Sequence, residues 1–170
     1  MIRICVSGLT GSGKTTIGME IAKRFGIEHV QKSYKEYVND YSKIADFING
    51  LEDDFVKAFD KEIIKMAEGR NCVVTTWLGP WLIKDATLRV WLDSSLETRA
   101  RRWSEKYGKD YEASLKEINE KDIATIEGTR KVYGFDLLND HEVFDISINT
   151  EKVSIEECVS IITVMAFKRD

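Results

Sequence analysis

Proline is almost missing from this chain: Pro80 is the single one in 170 residues. Chain breaks therefore fall to glycine, at Gly26, Gly50, Gly69, Gly79, Gly108 and Gly134. No Cys-x-x-Cys pair occurs. Cys5, Cys72 and Cys158 lie far apart in apolar runs and read as reduced core thiols, which places the chain in a reducing cytoplasm. His29 and His141 are isolated, and neither has metal-ligand spacing. No apolar run approaches the length of a membrane span, and the N-terminus lacks a charged n-region, an h-region and a cleavage site, so neither a membrane partner nor a targeting peptide is expected. Basic excess is absent as well: the net charge is -4, and nucleic acid is not the default partner. With no internal repeat and no low-complexity linker, a single domain over residues 1–170 is expected, as a monomer.

What is present is an ordinary globular composition, 43% hydrophobic and 32% charged. Strand-like and helix-like stretches alternate along it. Short apolar runs at 2–7, 27–30, 72–77, 88–92 and 144–148 read as strands. Helical spacing marks 14–25, 34–48, 55–67, 96–107 and 111–132. A last helix over 154–167 has Ser154 as N-cap and Glu157 completing a capping box. Such alternation predicts an α/β fold, a five-stranded parallel sheet with helices on both faces and right-handed crossovers. Ligands of such sheets bind beyond the carboxyl ends of the strands.

The loop after the first strand carries the strongest chemical signal. Gly8-Leu9-Thr10-Gly11-Ser12-Gly13-Lys14-Thr15 fits G-x-x-x-x-G-K-[ST] without departure. Glycines at 8, 11 and 13 let the backbone turn and aim several N–H groups inward as a nest for phosphate oxygens. The helix opening at Lys14 adds its positive end. Lys14 reaches β- and γ-phosphates, and the Thr15 hydroxyl suits Mg²⁺. An apolar strand before the motif and an amphipathic helix after it, running on through Thr16, point to a P-loop NTPase fold of three layers that binds a nucleoside triphosphate. No Asn-Lys-x-Asp motif for guanine is present, and the small size suits a small-molecule kinase.

These features resemble the archaeal-type cytidylate kinases within the nucleoside monophosphate kinase family. The resemblance covers nearly the whole chain. It rests on Ser7 to Thr16, on Leu78-Gly79-Pro80-Trp81, and on Val90-Trp91-Leu92 followed by Ser95-Leu96-Glu97-Thr98-Arg99-Ala100-Arg101-Arg102. Tyr133-Gly134-Phe135-Asp136 and Ile148-Asn149-Thr150 complete it. It implies direct transfer of a phosphoryl group from ATP to CMP or dCMP, with small-molecule nucleotides as partners. It also implies a monophosphate-binding segment near 32–68 and a lid near 103–130. Thr10 replaces the usual proline of the opening motif, and three further stretches depart from the family's pattern. Gln31-Lys32-Ser33-Tyr34-Lys35-Glu36-Tyr37 replaces a Ser/Thr-x-Gly-Asp-Ile-Phe-Arg-like segment. Thr75-Thr76-Trp77 stands where Glu-Gly-Arg would grip the acceptor phosphate. Gly128-Thr129-Arg130 alters a late, arginine-bearing part of the lid.

Tryptophan has one N–H and no charge, so it cannot do that arginine's work. Lys32 and Lys35 are the nearby cations, as replacements or as solvated lysines. Arg99 and Arg102, three apart on one helix face, are expected to grip the transferring phosphoryl group, or else to pair with Glu97 or Glu105. Arg130 is a further catalytic candidate. Asp93, ending the fourth strand, suits either Mg²⁺ through water or the cap of the next helix. Trp77 and Trp81 read as base-stacking or packing residues. Tyr34, Tyr37 and Tyr41 read as a packing stripe rather than a base platform, and the Glu/Lys run over 112–122 as a solvated helix face.

Overall fold

The computed structural model describes residues 1–167. Five parallel strands form one sheet in the order β2-β3-β1-β4-β5. They are β1 (Arg3–Gly8), β2 (Glu28–Val30), β3 (Cys72–Val74), β4 (Leu88–Asp93) and β5 (Ile146–Asn149). β1 is central and fully buried, and its alternation assigns the two faces. Ile4 and Val6 pack with Ile17 and Ile21 of α1 (Lys14–Phe25) and with Cys158 and Ile162 of α7 (Ile155–Phe167). Cys5, between them, faces the other way, toward Phe59, Ile63 and Ala67. All three cysteines are buried and free.

The remaining helices are α2 (Ile44–Asn49), α3 (Asp53–Ala67), α4 (Gly79–Leu82), α5 (Leu96–Tyr107) and α6 (Tyr111–Tyr133). α5 and α6 form an antiparallel hairpin beyond the carboxyl ends of the strands, and α6 packs on α2 through Ala124 against Ile44 and Ile48. None of these helices is long and apolar enough to cross a membrane.

Two stretches differ from their expected form. Residues 34–48 are not one helix. Ser33 closes a capping box around a 3-10 turn at Tyr34–Tyr37, and Asp40 caps a second turn at Tyr41–Lys43 before α2 begins. These short polar side chains bond local N–H groups and so compete with a continuous helix. β3 stops at Val74 rather than at residue 77. The Thr76 hydroxyl accepts the Gly79 N–H at 3.0 Å and turns the chain into α4, with Pro80 at its start. Trp77 is thereby released from the sheet into the space above it. Other ends agree closely: α5 spans the expected residues, and Ser154 with Glu157 forms the capping box of α7.

Candidate active site

The loop between β1 and α1 is built for a tight approach. A Cβ on Gly8 would stand 2.4 Å from the Leu92 carbonyl oxygen, and one on Gly11 would stand 2.9 Å from that of Arg99. Only glycine lets the loop lie this close to β4 and α5. Gly13, in the left-handed region, is the N-cap and offers no capping side chain. The first bond of α1 runs from Ile17 N–H to Gly13 O. The N–H groups of Lys14, Thr15 and Thr16 are thus left at the open helix end, where an anion is favoured. The hydroxyls of Thr10 and Ser12 are buried without a protein partner among the described residues.

A cleft of about 870 Å³ opens over this loop. Its cations are Lys14, Lys32, Lys35, Arg102, Lys106 and Lys121, against Glu105 as the sole carboxylate among the described lining residues. That charge balance suits a polyanion. Lys14 Nζ donates to the carbonyls of Gly8 (2.6 Å) and Leu9 (2.8 Å). Burial lowers its pKa to about 7, helped by Lys121 and Arg99 and partly opposed by Asp122. Burial likewise lowers Lys121 to about 8, against the opposing pull of Asp122 and Glu117.

The expected catalytic arginines separate. Arg102 lines the cleft and is held by Thr150, with Nη1 donating to the hydroxyl at 2.9 Å and Nη2 to the carbonyl at 2.6 Å. Arg99 does not line it. The residue is 4% exposed, its guanidinium donating to the Thr10 carbonyl at 2.8 Å and to Asp122 Oδ2 at 2.5 Å. Asp122 Oδ1 in turn accepts the Thr10 N–H at 3.1 Å. This buried ion pair holds both backbone polar groups of Thr10, its N–H and its carbonyl, and ties the α5–α6 hairpin to the phosphate loop. Arg130 lies on the surface, ion-paired with Asp136 and outside the cleft.

Thr15 lines the cleft, its hydroxyl accepting from Gln31 Nε2 at 3.2 Å with lone-pair capacity remaining. That placement fits Mg²⁺. Asp93 is exposed and off the cleft wall, and Ser95 rather than Asp93 caps α5, accepting from Thr98 N–H. Among the described residues no cluster of acidic, histidine or cysteine side chains forms a metal cage. A Mg²⁺ ion here would have mostly phosphate and water oxygens as ligands, as this hard cation commonly does.

Trp77 is half-buried between two lysines: Lys14 Nζ lies 5.2 Å and Lys121 Nζ 5.9 Å from its ring centre. Trp81 instead stacks on Phe135 at 5.2 Å and is a packing residue. Tyr34 packs on Phe59 and Tyr41 on Trp103, as a stripe should, although Tyr41 also lines the cleft. Lys32 pairs with Glu62, and Lys35 lies over Tyr107 at 4.9 Å.

A second cavity, of about 390 Å³, adjoins the first. It lies between α3 and α6, walled by Tyr34, Ile48, Phe59 and Ile63 among others. Both cavities share Lys32, Ser33, Thr76, Trp77 and Lys121. The junction is therefore one aromatic ring, two cations and two hydroxyl-bearing residues.

Lys121 and Asp122 belong to the run expected to be a solvated face, and that expectation is corrected here. Ser114, Ile118 and Asp122 follow at intervals of four and are all buried. The signal was that spacing from Ile118, obscured by the surrounding charges.

Binding a polyanion beside Lys14 and Lys121 must raise both pKa values. Proton uptake of roughly one or somewhat more per nucleotide is expected at pH 8 and close to none at pH 6, with affinity falling as pH rises through about 7–8. Calorimetry of Mg-ATP binding in buffers of different ionisation enthalpy measures this. Equal heats in all buffers at pH 8 would contradict it.

Residues 29–152 match the model of the cytidylate kinase-like family. A cytidylate kinase of Pyrococcus horikoshii is 32% identical over 168 residues, covering 94% of this chain and 85% of that one. A protein of Eubacterium ventriosum superposes with a TM-score of 0.74 at 17% identity, over 98% of this chain and 99% of that one. A deoxyadenosine kinase of M. mycoides superposes with a TM-score of 0.62 at 16% identity, over 98% and 100% respectively.

Proposed function

The chain belongs to the cytidylate kinase-like family, and from that premise we propose that it transfers the γ-phosphoryl group of ATP to a nucleoside monophosphate, with CMP and dCMP as acceptors. The observation carrying this is the meeting of a cation-lined loop cleft with an apolar cavity at Trp77 and Lys121. One cavity suits a triphosphate and the other a nucleoside, and a phosphoryl group has to cross only their shared wall.

The loop N–H groups and Lys14 hold the β- and γ-phosphates. Thr15 holds Mg²⁺, which when bound neutralises charge on the phosphate oxygens. An acceptor phosphate oxygen forms the new P–O bond in line while the bond to the β–γ bridging oxygen breaks, leaving ADP and a nucleoside diphosphate. Arg102, fixed by Thr150, and Lys121 face the space where negative charge spreads during that exchange. Lys32 and Lys121 together supply at the junction the positive charge that Trp77 lacks.

ADP formation from Mg-ATP, assayed with CMP, dCMP, UMP, dUMP, AMP and GMP, tests the reading. Turnover led by the cytidine nucleotides is expected. A folded sample that binds ATP and turns over none of them would refute the activity and leave a nucleotide-binding protein.

A further inference from the structure

Asp60 is a charged residue that neither the loop nor the phosphate path uses. It sits on α3 in the wall of the 390 Å³ cavity and is 7% exposed. Tyr133 Oη donates to its Oδ2 at 2.7 Å. No ion pair to Asp60 occurs among the described residues, and its second oxygen is not among the buried unpartnered atoms, so a residue of the cavity wall keeps an accessible acceptor oxygen. An isolated carboxylate in apolar surroundings is costly unless something hydrogen-bonds it. Here burial raises its pKa to about 6, only partly offset by Tyr133.

We propose that Asp60, oriented by Tyr133, is the specificity residue of the acceptor cavity, accepting a hydrogen bond from the exocyclic amino group of the acceptor's base. The inference rests on the nucleotide kinase reading above. An ionised carboxylate only accepts, so it selects a ligand that donates there. A keto oxygen in the same place would meet it with repulsion and leave both groups unpaired. The cavity that Asp60 lines also carries the Tyr34 and Phe59 rings and the aliphatic Ile63, and flat rings suit a base better than a hydroxyl-rich sugar. The phosphate end has its own place. Lys121 and the Asp60-bound Tyr133 stand twelve residues apart on α6, about 18 Å along the helix axis. Cation and carboxylate thus mark different parts of one cavity.

Asp60→Asn keeps the shape and an acceptor for Tyr133 while offering an N–H₂ group to a keto oxygen. Initial rates at saturating Mg-ATP with CMP, dCMP, UMP and dUMP read the effect. The wild type is expected to favour the amino-bearing bases, and Asp60→Asn to lower the CMP-to-UMP ratio of kcat/KM by at least about tenfold, chiefly through KM. Tyr133→Phe is expected to raise the KM for CMP with a smaller change in kcat, as for a positioning residue. An unchanged ratio in a folded Asp60→Asn variant overturns the proposal and leaves Asp60 as a tie between α3 and α6. A changed CMP-to-dCMP ratio with the CMP-to-UMP ratio fixed also overturns it, since Asp60 would then read the sugar. Should the wild type phosphorylate no monophosphate, the kinase reading fails by itself. Calorimetric binding of cytidine and uridine without ATP then decides: a cytidine preference lost in Asp60→Asn supports the assignment, and no preference, or one that survives, overturns it.

Discussion

Asp122→Ala is expected to lower the unfolding free energy by about 3–5 kcal/mol, the usual cost of removing one partner from a buried ion pair. Both side chains are 5% exposed, and the variant leaves the Arg99 guanidinium without its counter-charge in a site closed to water. It also frees the Thr10 N–H, which Asp122 accepts at 3.1 Å. Because Thr10 sits in the middle of the phosphate loop, the loss is not confined to stability, and Mg-ATP affinity should fall with it. Urea unfolding and calorimetry measure the two effects. A stability change under about 1 kcal/mol would show that the clamp is not holding the loop. The double replacement Arg99→Met with Asp122→Leu should regain much of the stability, since no charge is then left buried alone. It should not regain the ATP affinity, since the Thr10 backbone stays unheld.

Lys121→Met should cost about 10³-fold in kcat/KM for the acceptor, on the order of losing a charge-stabilising group from a phosphoryl-transfer site. Lys121 stands in the wall common to both cavities, with Nζ 5.5 Å from the Tyr41 ring centre and 5.9 Å from that of Trp77. Methionine keeps much of its length and packing while removing the charge. Mg-ATP binding in the absence of acceptor should change only a few-fold, because the loop N–H groups and Lys14 remain. Steady-state rates with CMP, alongside ATP binding, separate the two. A loss below about tenfold would place the acceptor phosphate elsewhere. Lys121→Arg should restore part of the rate, since it keeps the charge with a different shape.

The two variants show where reading residues in order reaches its limit. Both change positions in a helix whose charge pattern suggested solvent on most sides. The interval of four from Ser114 through Ile118 to Asp122 marked a buried stripe, but an aspartate on such a stripe has meaning only once its partner is known. That partner, Arg99, is 23 residues away, and Thr10, whose backbone they jointly hold, is 112 residues from Asp122. Arg99 and Arg102 illustrate the same limit from the other direction. Spacing of three placed them near one another on α5, yet one is buried against the loop and the other lines the cleft. A helix period says which residues neighbour one another and not what the neighbouring element is.

By itself the sequence determined the phosphate loop, the alternation that yields a parallel sheet, the extent of α5 and the capping box of α7. These depend on interactions within a few residues: turn-forming glycines, short apolar runs, side chains capping N–H groups two or three positions away. Tertiary structure alone decided which cations face the cleft, that Trp77 lies between Lys14 and Lys121, and that Asp60 and Tyr133 meet across 73 residues of chain. Those arrangements follow from how α3 and α6 pack above the sheet. Burial and charge balance are properties of the space between elements, and that space exists only after the chain has closed around it.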